Sequence, residues 1–273
     1  MSLFICPICS APLSRVEKSY LCPAGHCYDI SSDGYTHLLP ANRKHSAAPG
    51  DDPEMSRARR DFLSRGYYEP LLLELERLCV LHAPDSVHML DAGCGEGYYT
   101  SGIHHALESA GKSPATAGID ISKFILRSAA KRCREVEYAV ASSYHLPVAE
   151  RSIDLLLDCF APLALDEFRR VLRPGGVFIY VVPAAEHLIE LKRVLYDEPY
   201  LNDERPSPYE GFDYLDVVPV DYRAMLDSRE DIQNLFRMTP YAWKTPRSGR
   251  DRLLELDALD ITVSFRIHVF RRK

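Results

Sequence analysis

"VHMLDAGCGEGYYT", residues 87–100, decides the fold. It is a short apolar run closing on an acid, Asp91, then a loop with Gly93, Gly95 and Gly97 around Glu96, then the start of a helix. The GK[ST] of a P-loop is missing, and the glycines are spaced GxGxG rather than the GxGxxG of dinucleotide folds. Such glycines let the backbone pass close to a ligand at the carboxyl end of a central strand. About twenty residues of helix should follow. Then comes "TAGIDIS", residues 116–122, a second strand ending in Asp120, an acid placed to hydrogen-bond ribose hydroxyls. Strand, loop and second acid together predict a nucleoside-binding site.

The rest of the chain extends that pattern. "VEYAVASSYHLPVAERSIDLLLDCFAP", residues 136–162, reads as strand three, a loop and strand four, with Asp158 near the strand end. "LALDEFRRVLRPGGVFIYVVP", residues 163–183, reads as a helix, a Pro-Gly-Gly turn and strand five. "DITVSFRIHVF", residues 260–270, alternates as a last strand. Strands alternating with helices predict a doubly wound, mostly parallel sheet.

At the other end, "CPICSAPLSRVEKSYLCPAGHCYD", residues 6–29, crowds four cysteines and a histidine together. Cys6 and Cys9 form CxxC, and Cys22 with His26 forms CxxxH, two close pairs suited to a tetrahedral zinc site of three sulfurs and one nitrogen. Metal binding would supply folding energy to a segment with little core of its own. Cys27 is a fifth candidate for which a four-coordinate site has no place, and its side chain should point away from His26. "YDISSDGYTHLL", residues 28–39, alternates toward a short strand.

Between these parts, residues 40–54, "PANRKHSAAPGDDPE", have a linker's composition. Asp51 or Asp52 then caps a helix with Pro53 in its first turn, and Met55, Ala58, Phe62 and Leu63 form its apolar stripe. A second, Leu-rich helix runs from about Pro70 to His82, with Tyr67 and Tyr68 just before it. The expected division is 1–45 for the zinc unit, 46–85 for a helical segment reaching the nucleoside site, and 86–273 for the large α/β domain.

Composition narrows the partners. The 273 residues carry a net charge of −6, so no global attraction to nucleic acid exists. The charge is uneven: residues 1–66 sum to +1 and residues 67–273 to −7. "RARRDFLSR", residues 57–65, holds four arginines and one aspartate, so a grip on RNA should be local, with Arg57 and Arg60 the exposed candidates. Cysteines clustered at one end and scattered singly elsewhere suggest a reducing cytoplasm rather than a disulfide scaffold. No apolar run is long enough to predict a membrane span, and "MSLFICPICS" does not read as a secretory signal.

Taken in order, "CPIC", "CPAGH", "GDDPEMSRARRDFL", "GYYEPL", "LDAGCGEGYYT", "PGG", "HLIELK" and "MTPYAW" span residues 6 to 243. This series resembles the bacterial 23S rRNA (guanine-N1-)methyltransferases, the RlmA family. The resemblance implies a class I S-adenosylmethionine-dependent methyltransferase with a seven-stranded sheet, an antiparallel last strand and a small N-terminal zinc-binding domain. It places zinc on Cys6, Cys9, Cys22 and His26, and the cofactor on Gly95 and Glu96, on Tyr68 and on His187. Asp91, Gly93 and Gly97 complete the loop, and Asp120 takes the ribose. It implies a guanine N1 in a 23S rRNA hairpin as acceptor and a homodimer among the possible assemblies. Guanine N1 carries a proton, and a positioned carboxylate is the simplest base to take it, for which Asp158 is the candidate. Two other readings compete: a methyltransferase for a small molecule of quinone or macrolide type, which leaves the zinc unit without a task, and a non-catalytic zinc- and RNA-binding protein.

Overall fold

The computed structural model describes residues 2–40, 50, 52–204 and 209–273. Four short strands come first: β1 (Ser14–Val16), β2 (Ser19–Leu21), β3 (Cys27–Asp29) and β4 (Tyr35–His37). The stretch 41–49 expected as a linker, the boundary expected at residue 45 and the alternative cap Asp51 lie outside the described residues. Helix α1 (Pro53–Ser64) opens on Asp52, whose Oδ1 accepts the N–H groups of Glu54 and Met55 at 2.8 and 2.9 Å. A glycine turn leads to α2 (Glu69–His82).

The α/β part then runs β5 (Ser86–Ala92), α3 (Tyr98–Ser109), β6 (Ser113–Asp120), α4 (Lys123–Arg132), β7 (Glu137–Val140), β8 (Ile153–Cys159), α5 (Leu165–Val171), β9 (Leu172–Pro183) and α6 (Ile189–Leu195). It ends with β10 (Phe212–Leu226), α7 (Arg229–Arg237), α8 (Tyr241–Lys244), α9 (Arg247–Leu254) and β11 (Leu259–Arg272). The main sheet has the order β10-β11-β9-β8-β5-β6-β7-β4. Its pairs from β4 to β9 are parallel, and β11 and β10 are antiparallel. The expected seven strands are present, and the N-terminal segment adds an eighth, because β4 pairs with β7 through Tyr35, Thr36 and His37.

The two faces of this sheet are covered differently. Val87, Met89, Leu155, Leu157, Ile179 and Val181 pack under α1, α2, α3, α6, α7 and α9. The residues alternating with them, among them Leu90, Ala92, Leu156 and Phe178, pack against Phe4, Cys6, Leu13, Tyr20, Cys22 and Leu38 of the N-terminal segment and against Phe168 of α5. The metal-binding unit thus supplies a roof that doubly wound folds usually build from helices, and it shares one core with the sheet.

Three details differ from the sequence-based expectation. The helix after the glycine loop has 12 residues rather than about twenty. Gly111 at φ +76 ends it, with its N–H on Glu108 and that of Lys112 on Leu107, a left-handed helix stop. The Pro-Gly-Gly segment lies inside β9, opposite a register shift at Ile153/Leu155, instead of preceding the strand. The 15-residue β10 is the seventh strand of the expected sheet, for which the sequence offered no segment.

Candidate functional site

Strands β5, β6 and β8 end side by side, so Asp91, Asp120 and Asp158 come together at one edge of the sheet. The loop between β5 and α3 lies among them. Gly93 and Cys94 both donate to the Ile119 carbonyl, at 2.9 and 2.8 Å, and Gly95 N–H donates to Asp120 Oδ2 at 3.1 Å. Asp120 Oδ1 accepts Ser122 N–H at 2.8 Å, so this half-buried carboxylate latches the loop to β6. Gly93 sits at φ +95, and a Cβ there would stand 2.3 Å from that of Ala161, so no larger residue fits beneath the turn after β8. Gly97, at φ +79, meets the Ala129 backbone of α4 in the same way, at 3.0 Å.

Three carboxylates around the loop are almost fully buried and each has one oxygen without a hydrogen-bond donor. Asp91 accepts Thr100 Oγ1–H at 2.5 Å on Oδ2, and its Oδ1 is unpartnered. Glu96 accepts Arg132 at 2.6 and 3.1 Å on Oε2, leaving Oε1. Asp158 accepts Ala161 N–H at 3.0 Å on Oδ1, leaving Oδ2. Burial pushes Asp91 up to about 7 against the Thr100 hydrogen bond, with help from the charge of Asp120. Burial raises Glu96 to about 6 against the pull of Arg132. Burial raises Asp158 to about 8 against the Ala161 N–H, with the charge of Asp91 adding to it. Buried acceptors that lack donors and resist ionisation suit a cationic ligand. S-adenosylmethionine carries two positive groups, an ammonium and a sulfonium, and its adenosine offers a ribose to Asp120. The residues fit it.

Tyr68 and His187, far apart in sequence, meet here. Ser264 N–H donates to His187 Nδ1 at 3.2 Å, which places the ring proton on Nε2, 3.4 Å from the Tyr68 hydroxyl. Burial, then the charge of Lys192, lowers His187 to about 3, so the imidazole is neutral. Both rings pack on Phe265, Phe265 meets Phe160 at 5.1 Å, and Phe160 meets Tyr99 at 6.5 Å. An aromatic wall therefore runs from the Tyr68–His187 pair to the helix after the glycine loop.

On the opposite face, the donor atoms of Cys6, Cys9, Cys22 and His26 lie within 4.8 Å of one another. The separations are 3.5 Å for Cys6 Sγ to His26 Nδ1, 3.7 Å for Cys9 Sγ to Cys22 Sγ, and 3.3 Å for Cys22 Sγ to His26 Nδ1. Zinc–sulfur bonds of about 2.3 Å in a tetrahedron give edges of roughly this length. Burial alone would raise the Cys6 thiol, but the Tyr28 hydroxyl and the Cys9 and Ile8 backbone bring it down to about 6, toward the thiolate a metal needs. Three thiols and one imidazole fit zinc, and Cys27 is exposed and outside the group.

Arg57 and Arg60 are exposed on α1, and Arg60 pairs with its neighbour Asp61 at 2.8 Å. Arg59, not singled out in the sequence, turns inward, donating to the Met238 carbonyl at 3.2 Å, with its Cδ about 4.0 Å from where a Gly95 Cβ would be. Thr100, Arg132 and Phe160 also escaped notice. Thr100 stands in the quoted "GYYT", but Arg132 and Phe160 join the site only through the fold.

The parallel sheet, the glycine loop and its acids define a methyltransferase, here carrying a metal-binding unit on one face. Residues 84–216 match the family model described as a methyltransferase domain, and residues 4–47 match that described as RlmA, N-terminal, a zinc ribbon. S-adenosylmethionine is the cofactor of such a domain and zinc the ion of such a ribbon. A Bacillus subtilis protein provisionally named as a 23S rRNA (guanine-N(1)-)-methyltransferase is 33% identical, over 96% of this chain and 94% of its own. The 23S rRNA (guanine(748)-N(1))-methyltransferase of Streptomyces fradiae is 34% identical over 68% of this chain and 65% of its own. A solved structure provisionally named as a type II methyltransferase, from Anaeromyxobacter dehalogenans, shares the fold at a TM-score of 0.51 and 22% identity, covering 73% of this chain and 95% of that one. The chain belongs to the RlmA family of 23S rRNA (guanine-N1-)methyltransferases. Among the described residues no helix is long and apolar enough to cross a membrane.

Proposed function

We propose that this protein methylates N1 of a guanine in a hairpin of 23S rRNA, in the cytoplasm. The observation that carries the chemistry is Asp158: fully buried at the carboxyl end of β8, one oxygen held by Ala161 N–H and the other without a donor. S-adenosylmethionine, when bound, supplies a methyl group activated by its sulfonium charge. Asp91 and the Gly93–Gly97 backbone hold the methionine end, and Asp120 takes the ribose. Glu96, tied to Arg132, steadies the loop, and its buried Oε1, without a donor, is available to the ligand. The Tyr68 hydroxyl, receiving the His187 Nε2 proton, keeps its own proton for donation into the site.

Asp158 Oδ2 accepts the N1 proton of the guanine, freeing the lone pair for in-line transfer. A carboxyl raised to about 8 by burial and by the charge of Asp91 is a stronger base than an ordinary aspartate, and the positive charge of S-adenosylmethionine, when bound, would favour its ionised form. The guanine must leave its stack to reach a buried carboxylate, which a hairpin loop permits. Cys6, Cys9, Cys22 and His26 hold zinc, and residues 1–45 hold the RNA together with Arg57 and Arg60. Residues 46–85 reach over the cofactor, and residues 86–273 carry the chemistry. Light scattering decides between a monomer and the homodimer that the resemblance implies.

Primer extension on 23S rRNA from a strain lacking the gene, before and after treatment with purified protein and S-adenosylmethionine, tests the reading. A new stop at one guanine is expected, absent with Asp158→Asn. Methylation of small acceptors with no stop on rRNA would defeat it.

A further inference from the structure

We propose that Phe160 is the surface on which the acceptor guanine stacks, held out for that purpose by a strained turn at the end of β8. This rests on the reading of the protein as a guanine N1 methyltransferase.

Phe160 has φ +62, the left-handed region that a bulky side chain avoids. Among the described residues Ser10, Glu17, Arg151 and Leu188 also have positive φ without being glycine. The first three are polar residues, and Leu188 is 1% exposed, so packing compensates its backbone. Phe160 combines strain with 41% exposure. Neither local preference nor burial accounts for a large apolar ring held there. Strain that nothing local repays collects at sites where a side chain must be aimed.

The turn is built to hold that aim. Phe160 N–H donates to the Val181 carbonyl of β9 at 3.3 Å, and the next N–H, of Ala161, is the one bound by Asp158 Oδ1. The ring is therefore two residues from the carboxylate assigned to the N1 proton. Ala161 in turn stands over Gly93, so the same turn touches the cofactor loop. Phe265 and Tyr99 back the ring, at 5.1 and 6.5 Å between centroids, while the rest of it stays open to solvent. A purine that leaves its helix loses stacking, and an aromatic face at the mouth of the site restores it without regard to base identity. Selection of guanine is then left to polar groups such as Asp158, which reads a ring N–H at N1.

The test compares Phe160→Gly, Phe160→Leu and Phe160→Trp with wild type. Three quantities are measured: kcat and KM for 23S rRNA purified from a strain lacking the gene, S-adenosylmethionine affinity by calorimetry, and melting temperature. Loss of one base–aromatic stack should lower kcat/KM for RNA by about 10- to 100-fold in the glycine and leucine variants. Tryptophan should recover most of the loss. Cofactor affinity should stay at the wild-type value. Phe160→Gly should melt no lower than wild type, because glycine adopts φ +62 freely. A glycine variant as active as wild type overturns the inference. So does a loss of cofactor affinity that matches the loss of rate, since the ring would then cover the cofactor instead of the base. If wild type leaves 23S rRNA unmethylated, the parent reading falls and takes this one with it. A wild type active alongside an equally active glycine variant removes the stacking role alone.

Discussion

The zinc ribbon and the glycine-loop site gather polar side chains in opposite ways. In the ribbon four donors from residues 6 to 26 lie within 4.8 Å of one another, and one ion satisfies them all. At the glycine loop three carboxylates from residues 91 to 158 share one neighbourhood, and each keeps an oxygen without a partner. The first arrangement draws folding energy from its ligand, because the site scarcely exists without the metal. The second is assembled by the sheet whether or not a ligand is there, and so the fold bears the cost of buried, unmatched acceptors until a cation arrives. Structural stability is concentrated on one face and binding potential on the other.

Removing a ribbon ligand tests this contrast most severely. Cys22→Ser should abolish stoichiometric zinc, seen by metal analysis. Because Phe4, Leu13 and Tyr20 share a core with Leu90, Ile119 and Phe178, the damage should spread, lowering the melting temperature by about 10 °C or more. Cofactor titration at 25 °C should still succeed, since β4 contributes only a short edge to the sheet. Full zinc in the variant would dissolve the contrast.

Asp120→Ala strikes the other region. It removes the latch on Gly95 and the proposed ribose partner, and should weaken S-adenosylmethionine by about 1–3 kcal/mol in calorimetry, with zinc content unchanged. Unaltered affinity would displace the ribose from Asp120.

The pH dependence sharpens the same point. Asp91 at about 7 and Asp158 at about 8 lie above the unfolded carboxylate value of about 4. Between those values the folded protein binds more protons than the unfolded chain, so its stability falls as pH rises. His187, lowered to about 3, acts in the opposite sense only below its unfolded value of about 6.5. From pH 6.5 to 8 the unliganded protein should therefore lose roughly 1–2 kcal/mol, read by urea unfolding. Cofactor affinity should rise over the same interval as the carboxylates ionise. Affinity that falls with pH would contradict a cation-seeking site.

The smallest effect is expected at the surface. Reversing Arg57 and Arg60 together to Glu should weaken RNA about three- to tenfold at moderate salt and flatten the salt dependence, leaving cofactor and zinc untouched. The ion pair of Arg60 with Asp61 already takes part of its charge. Identical binding isotherms would move the RNA grip elsewhere.

What was legible in the sequence follows the same division. The ribbon could be read because its four donors are fixed by spacing alone, and α1 because Asp52 and Pro53 announce its start. The glycine loop was legible because positive φ at Gly93, Gly95 and Gly97 restricts the residue type. Strand β10 was hidden by Pro219 and by Asp213, Asp216 and Asp221, which interrupt its apolar pattern. Both are tolerated there because β10 is an edge strand with one partner, β11. The ribbon's place as a roof on the sheet, the Glu96–Arg132 pair and the strain at Phe160 were not legible. They arise where chain segments far apart in sequence meet, and neither spacing nor periodicity encodes that.

The pairing of β4 with β7 also sets a schedule for synthesis. Residues 6 to 26 can close on zinc as soon as they leave the ribosome. Residues 35–37 must wait for residues 138–140, about a hundred positions later, before they have an edge to join. At synthesis rates of about 5–20 residues per second that is an interval of roughly 5–20 s. Through it the ribbon is a finished, metal-filled unit whose apolar underside, Phe4, Leu13 and Leu38, has nothing to cover it. A nascent chain of this protein is therefore most exposed to aggregation, and most dependent on chaperones, while its earliest part is already folded.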